Sequence, residues 1–125
     1  MYRYTTSCGI VALTVALSGT ARAECRIPEP DGGEEHPSPA NISGRITKVA
    51  GTDVLIRQAG TGRIVRVHLP ARSSIYTVFG GDGPISELAV GQEAKVWFQA
   101  CTWPKTGTPV SAYFQIYSKA PNDRP

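Results

Sequence analysis

The sequence contains few of the groups on which enzyme active sites depend. Its 125 residues include two histidines, one methionine and three cysteines. A CxxC pair, a Gly-x-Ser-x-Gly nucleophile turn and a Walker phosphate-binding sequence are all absent. The acidic residues after residue 40 are scattered among predicted turns, strands and the tail. These absences argue against a redox dithiol, a serine hydrolase and a metal-dependent nuclease. We therefore expect no enzyme activity, no metal site and no cofactor.

A long apolar run is also missing. The apolar stretch over residues 8–17 has ten residues, about half of the roughly 20 that a membrane-spanning helix needs. Arg3 precedes this stretch and Ala21-Arg22-Ala23 follows it, which is the order found in secretory signal peptides. We predict a signal peptide over residues 1–23 and a periplasmic or secreted protein with no membrane span after cleavage. A buried N-terminal core segment is the alternative.

The cysteines fit this prediction. Removal of residues 1–23 takes away Cys8 and leaves Cys25 and Cys101. In an oxidising compartment such a pair forms a disulfide bond. We predict a Cys25–Cys101 disulfide that joins the start of the exported chain to the far end of its sheet. Two free thiols, or a disulfide to another chain, are the alternatives.

Charge and composition divide the exported chain into three parts. Residues 24–40 carry a net charge of −4 and are rich in proline and glycine, whereas residues 41–125 carry +5. The acidic segment has too few apolar residues to offset its ordering entropy, so we predict an extended arm. We predict one β-barrel domain over residues 41–118 and a polar tail over residues 119–125.

From residue 41 onward, apolar and polar residues alternate with the period of two that is typical of strands. The predicted strands begin near Ile42, Val54, Val65, Ala94 and Val110, with a short extended piece at 74–79 and a helical turn at 84–88. Five main strands and one short helix before the fourth strand match an all-β, five-stranded OB-like Greek-key barrel. We expect small residues to face inward at its tight bends, at Gly44, Ala94, Ala100 and Ala112.

Three stretches carry a family resemblance: ISGRITKVAGTDVLIRQAGTGRIVRVHL, ISELAVGQEAKVWFQA and TPVSAYFQIY. Together they resemble the small exported bacterial OB-fold domains of unknown function, over about residues 42–118. The likeness rests on turn and core positions such as Gly44, Leu88, Gly91 and Gln92. It implies the fold and leaves the activity open.

The same alternation predicts a basic and aromatic outer face. The outward residues that we expect to bind a ligand are Arg57, Arg63, Arg66, His68, Trp97 and Tyr113. The second and third strands of an OB-fold form its usual platform for oligonucleotides and oligosaccharides. Arginine neutralises phosphates or carboxylates, and aromatic rings stack on bases or sugars. We therefore expect a binding module for an anionic glycan or another cell-envelope ligand.

Three alternatives to glycan binding remain open. Charged residues also keep sheet edges soluble, and cross-strand aromatic pairs stabilise a sheet, so the face can be purely structural. A patch around Trp97, Trp103 and Tyr113 can instead dock a protein partner, as a subunit or inhibitor of an envelope complex. Single-stranded nucleic acid ranks below glycans, because exported proteins meet glycans more often.

Overall fold

The computed structural model describes residues 25–30 and 33–125. The predicted signal peptide over residues 1–23 and arm positions 24, 31 and 32 lie outside the described residues. The elements are β1 (Ile42–Ala50), β2 (Asp53–Gln58), β3 (Ile64–His68), β4 (Ile75–Thr77), β5 (Asp82–Gly83), a 3₁₀ turn (Ile85–Glu87), β6 (Glu93–Phe98) and β7 (Ser111–Ile116). No helix in this part of the chain is long and apolar enough to cross a membrane.

The seven strands form one mixed sheet in the order β3-β2-β1-β6-β7-β4-β5. Neighbouring strands are antiparallel, except that β4 runs parallel to β7. The predicted all-β class and the short helical turn are confirmed. The sheet has two strands more than predicted, because the segment 75–83 pairs with β7 and with itself. Closure into a five-stranded OB-like barrel remains a prediction.

The inward side chains form a single apolar core. Its buried members are Ile42, Ile46, Val54, Ile56, Val67, Leu69, Ile75, Leu88, Ala94, Val96, Phe98, Phe114 and Ile116. Full burial of an Ile, Leu, Val or Phe side chain is worth about 1.5–3 kcal/mol. The alternation that predicted the strands therefore also places these stabilising side chains in the core.

Small residues are required at only some of the expected positions. A methyl group at Gly44 would overlap with the carbonyl oxygen of Arg57 on β2, and Ala94 is buried in the core. Ala100 and Ala112 are exposed, so their predicted inward placement is wrong. The reason is a bulge: Trp97 pairs with Tyr113 but Phe98 pairs with Ser111, which leaves Ala112 as the extra residue. Ala100 lies in the turn beyond the end of β6.

The tail packs against the turn that precedes β6. Gln92 in this turn is fully buried; its Oε1 accepts a hydrogen bond from the Ala89 amide, and its Nε2 donates to the carbonyls of Glu87 and Lys119. The Asn122 amide donates to the Gly91 carbonyl. One buried amide side chain therefore joins the 3₁₀ turn, the β6 turn and the tail.

The arm is attached to the sheet at both ends. The predicted disulfide is confirmed, with the Cα atoms of Cys25 and Cys101 5.9 Å apart. Asn41, at the other end of the arm, donates from Nδ2 to the Cys101 carbonyl and accepts from the Phe98 amide. Within the arm, the Ser38 amide donates to the Arg26 carbonyl and the Arg26 amide donates to Ser38 Oγ. These bonds close the arm into a loop over β6.

Candidate ligand-binding site

The six residues predicted to bind a ligand lie in three separate environments. Arg66 and His68 contact an acidic residue, Trp97 and Tyr113 are buried, and Arg57 and Arg63 remain exposed on the β2–β3 hairpin. The structure therefore does not bring all six together on one open platform.

Arg66 and His68 both contact Asp53 from the neighbouring strand. Asp53 faces His68 in the β2–β3 register, with 2.8 Å between Oδ1 and His68 Nδ1. The Arg66 guanidinium lies 3.3 Å from Asp53 Oδ2. The hydrogen bond from His68, followed by the nearby positive charges, lowers the pKa of Asp53 below its ordinary value. Counting back from the hairpin turn places Asp53 opposite His68, so the sequence carried a signal for this cluster that our prediction missed.

Trp97 and Tyr113 were expected to be exposed, and that expectation is wrong: they are 7% and 8% exposed. The Trp97 indole N–H donates to the Ser38 carbonyl at 2.7 Å, which places the arm against the ring. The Tyr113 ring stacks on Tyr76 of β4, with 4.5 Å between ring centroids, and meets Trp97 edge-on. Burial raises the pKa of the Tyr113 phenol. For either ring to contact a ligand, the arm or β4 would have to move.

Arg57 and Arg63 are exposed, and neither has a carboxylate within 4.0 Å among residues 25–30 and 33–125. The hairpin that carries them is closed by bonds from the Gln58 amide to the Arg63 carbonyl and from the Gly62 amide to the Gln58 carbonyl. Gly62 has φ +70°, a left-handed conformation that favours glycine. Two positive charges that have no carboxylate partner among the described residues are thus held at one hairpin.

The loop between β6 and β7 is held beside β3. The His68 amide donates to the Pro109 carbonyl at 2.9 Å, and His68 and Val110 form a parallel bridge. At its other end, the loop is held by the Cys25–Cys101 disulfide and by Asn41. These attachments place the loop next to the β2–β3 hairpin.

Trp103 of this loop completes a groove with the hairpin. Its ring packs edge-on against Phe98, with 5.0 Å between centroids, yet Trp103 remains 45% exposed. The groove has a volume of about 330 Å³ and is lined by Gln58, Arg63, Val65 and Trp103. We call these four residues the hairpin groove. The sequence analysis places Trp103 only in the alternative patch for a protein partner and does not include it among the ligand-binding residues.

The hairpin groove has a mixed chemistry that suits ligand binding. An exposed indole face stacks on a flat apolar surface, the Gln58 amide can donate and accept hydrogen bonds, and the Arg63 guanidinium binds carboxylate or phosphate. Within the described residues, no three His, Cys, Asp or Glu side chains lie together where they could hold a metal ion.

Comparison with known proteins finds no match for this chain. No family model, no curated protein and no solved structure matches the chain significantly. Evidence for a function therefore comes from the geometry of the chain itself.

Proposed function

We propose that the protein is an exported, non-enzymatic OB-like binding module that holds an anionic glycan in the hairpin groove. The observation that carries the proposal is the pairing, in one groove, of an exposed indole with a guanidinium that has no carboxylate partner in the described chain. Trp103 and Arg63 are these two residues. An acidic sugar presents both an apolar ring face and a carboxylate, so it matches both groups.

The strand pairing supports the OB-like part of this proposal. β1 pairs with both β2 and β6, and β6 pairs with β7, as in a five-stranded OB-like barrel. The parallel bridge between His68 and Val110 joins β3 to the start of β7, the two strands that would meet at the closure. In this interpretation β4 and β5 are an addition at the edge of β7.

The disulfide supports the exported part of the proposal. Structural disulfides persist in oxidising compartments and are rare in the reducing cytosol. The Cys25–Cys101 bond joins the arm to the β6–β7 loop and so helps to hold Trp103 beside the hairpin. Export and ligand binding are therefore linked, because the Cys25–Cys101 disulfide helps to hold Trp103, which forms one wall of the hairpin groove.

The number of available aromatic rings favours a sugar over a nucleic-acid strand. Proteins that bind single strands stack successive bases on several aromatic side chains. Among the residues that the structure describes, Trp103 is the one aromatic residue that lines the hairpin groove, and Trp97 and Tyr113 are buried elsewhere. One stacking surface with Arg63 beside it suits a single acidic sugar unit within a chain.

Calorimetric titration with an oligogalacturonate tests this proposal. A neutral oligosaccharide of equal length and a short single-stranded DNA serve as comparison ligands. We expect saturable binding of the acidic sugar that weakens with added salt. We expect Trp103→Ala and Arg63→Gln each to lower the affinity at least about ten-fold.

Arg72→Gln is the matched control for the charge. Arg72 is also exposed and has no carboxylate within 4.0 Å among the described residues, but it lies in the loop after β3. We expect this variant to bind like the wild type. Equal binding of the neutral sugar, or equal losses from Arg63→Gln and Arg72→Gln, would overturn the proposed site.

A further inference from the structure

A second exposed surface lies at the β4–β5 hairpin, on residues that take no part in the hairpin groove. Phe79 at its tip is 72% exposed and its neighbour Val78 is 53% exposed. Gly80 and Gly81 turn the chain at this tip, with φ of +93° and +84°. The Phe79 ring contacts Tyr117 edge-on, with 5.2 Å between centroids. Single exposed apolar residues are common, but this ring stands beside a groove.

The neighbouring groove is mostly apolar and has a volume of about 230 Å³. Its apolar walls include Val78, Ala94, Tyr117 and Pro125, and Lys95 and Glu93 also line it; Glu93 is paired with basic side chains of its own chain. We call it the Tyr117 groove. Tyr117 contacts Phe79 on one side and lines the groove on the other. A protruding aromatic ring and a recess that can hold one therefore lie side by side.

This surface also carries one exposed basic side chain and one exposed acidic side chain. Lys95 is exposed and has no carboxylate within 4.0 Å in the described parts of the chain, and Asp82 is exposed without a basic partner there. The strand registers place them in one row, Lys95–Gln115–Tyr76–Asp82, across β6, β7, β4 and β5. Three strand spacings of about 4.8 Å separate them by roughly 14 Å, too far for an ion pair within one molecule.

From this arrangement we propose that the surface binds a second copy of the chain as a two-fold dimer. Phe79 of each copy enters the Tyr117 groove of the other, and Asp82 of each copy meets Lys95 of the other. A two-fold interface uses the same patch on both partners, so it needs a patch that is complementary to itself. This surface is complementary to itself in two ways. The Phe79 ring lies beside a recess, and Asp82 lies in the same row as Lys95, neither with an ion-pair partner among the described residues.

The dimer is independent of the proposed glycan site. The hairpin groove is formed by β2–β3 and Trp103, whereas the dimer surface is formed by β4, β5, β6 and β7. The two sites share no residue. Loss of one activity therefore leaves the other measurable.

Sedimentation equilibrium of the oxidised protein over a wide concentration range at low salt tests the dimer. We expect a reversible monomer–dimer equilibrium that Phe79→Ser weakens at least about ten-fold. Val90→Ser is the matched control, because Val90 is 58% exposed and does not line the Tyr117 groove. We expect this variant to dimerise like the wild type.

A charge exchange tests the proposed geometry. Asp82→Lys and Lys95→Glu should each weaken the dimer, and the double variant should restore association toward the wild-type value. Circular dichroism of each variant confirms that the fold is kept. A monomer at every concentration, equal effects of Phe79→Ser and Val90→Ser, or no rescue in the double variant would each overturn the proposal.

Discussion

The Trp97 indole N–H donates a 2.7 Å hydrogen bond to the backbone carbonyl of Ser38, a residue 59 positions earlier in the chain. This bond joins β6 to the proline-rich arm, close to the end of the arm that leads into β1. The Cys25–Cys101 disulfide and the Asn41 side chain fasten the two ends of the same arm. The arm is thus part of the packed structure, and it covers one tryptophan while Trp103 stays exposed.

Trp97→Phe should destabilise the protein by about 1 kcal/mol, because it keeps most of the ring's packing but removes the hydrogen bond to Ser38. Urea denaturation monitored by circular dichroism measures the change in the free energy of unfolding. Trp103→Phe is the control, since Trp103 is half-exposed and its indole N–H makes no hydrogen bond within the described chain. If Trp103→Phe lowered the free energy of unfolding as much as Trp97→Phe, the hydrogen bond from Trp97 to the arm would not be the source of the stabilisation.

Replacement of both disulfide cysteines, Cys25→Ser with Cys101→Ser, should lower the free energy of unfolding by up to about 4 kcal/mol. The bond joins residues 76 positions apart, and closing so long a loop strongly restricts the unfolded chain. Release of the arm should also expose Trp97 to water and shift its fluorescence to longer wavelength. An unchanged unfolding midpoint together with unchanged emission would mean that the arm does not depend on the disulfide.

Gln92→Leu should destabilise the protein by about 3 kcal/mol, despite the similar size of the two side chains. The substitution leaves the Ala89 amide and the carbonyls of Glu87 and Lys119 without their buried partner. Gln99→Leu is the control, because Gln99 is exposed and its side chain donates a single 3.4 Å hydrogen bond in the described chain, to the Ser111 carbonyl. Chemical denaturation compares the two variants. If Gln92→Leu were neutral, the attachment of the tail through Gln92 would have no energetic importance.

Asp53→Asn should reduce stability near neutral pH and have a smaller effect in acid. Folding lowers the pKa of Asp53 from its ordinary value of 3.8, chiefly through the hydrogen bond from His68. A carboxylate with a lowered pKa stabilises the folded state above pH 3.8, and this contribution is lost as the pH falls through the lowered value. Thermal unfolding of wild type and variant across this range measures the difference.

Asp123→Asn is the matched control for this titration, because Asp123 is exposed and has no basic side chain within 4.0 Å among the described residues. We expect its stability to follow that of the wild type at every pH. A difference between Asp53→Asn and wild type that grows as the pH falls would show that the sign of the proposed linkage is wrong.

Much of the sheet could be predicted from the sequence, because burial on one face imposes a period of two. Ile42, Val54 and Val67 lie inside as this period requires. The disulfide followed from the number of cysteines left after the predicted cleavage. Both inferences depend on local patterns or simple counts, and neither requires knowledge of long-range packing.

The candidate site was harder to predict, because its composition depends on contacts between distant segments. Alternation places Trp97 and Tyr113 outward, but it does not show that the arm and Tyr76 then cover them. It also fails at a bulge, so Ala112 was assigned to the wrong face. Trp103 lies in a loop without periodicity, and contacts with distant parts of the chain determine where its ring stands: the disulfide, Asn41, β3 and the Phe98 ring.

Binding of an anionic glycan in the hairpin groove can be located by amide chemical-shift mapping of the isotope-labelled, oxidised protein during titration with an oligogalacturonate. We predict saturable shifts at residues 58–65 of the hairpin and around Trp103, and these should weaken as salt is added. Amides beside the Asp53–His68 pair and beneath the arm at Trp97 should change little. Absence of saturable shifts, or shifts that avoid both the hairpin and Trp103, would contradict the assignment of the hairpin groove as the ligand site.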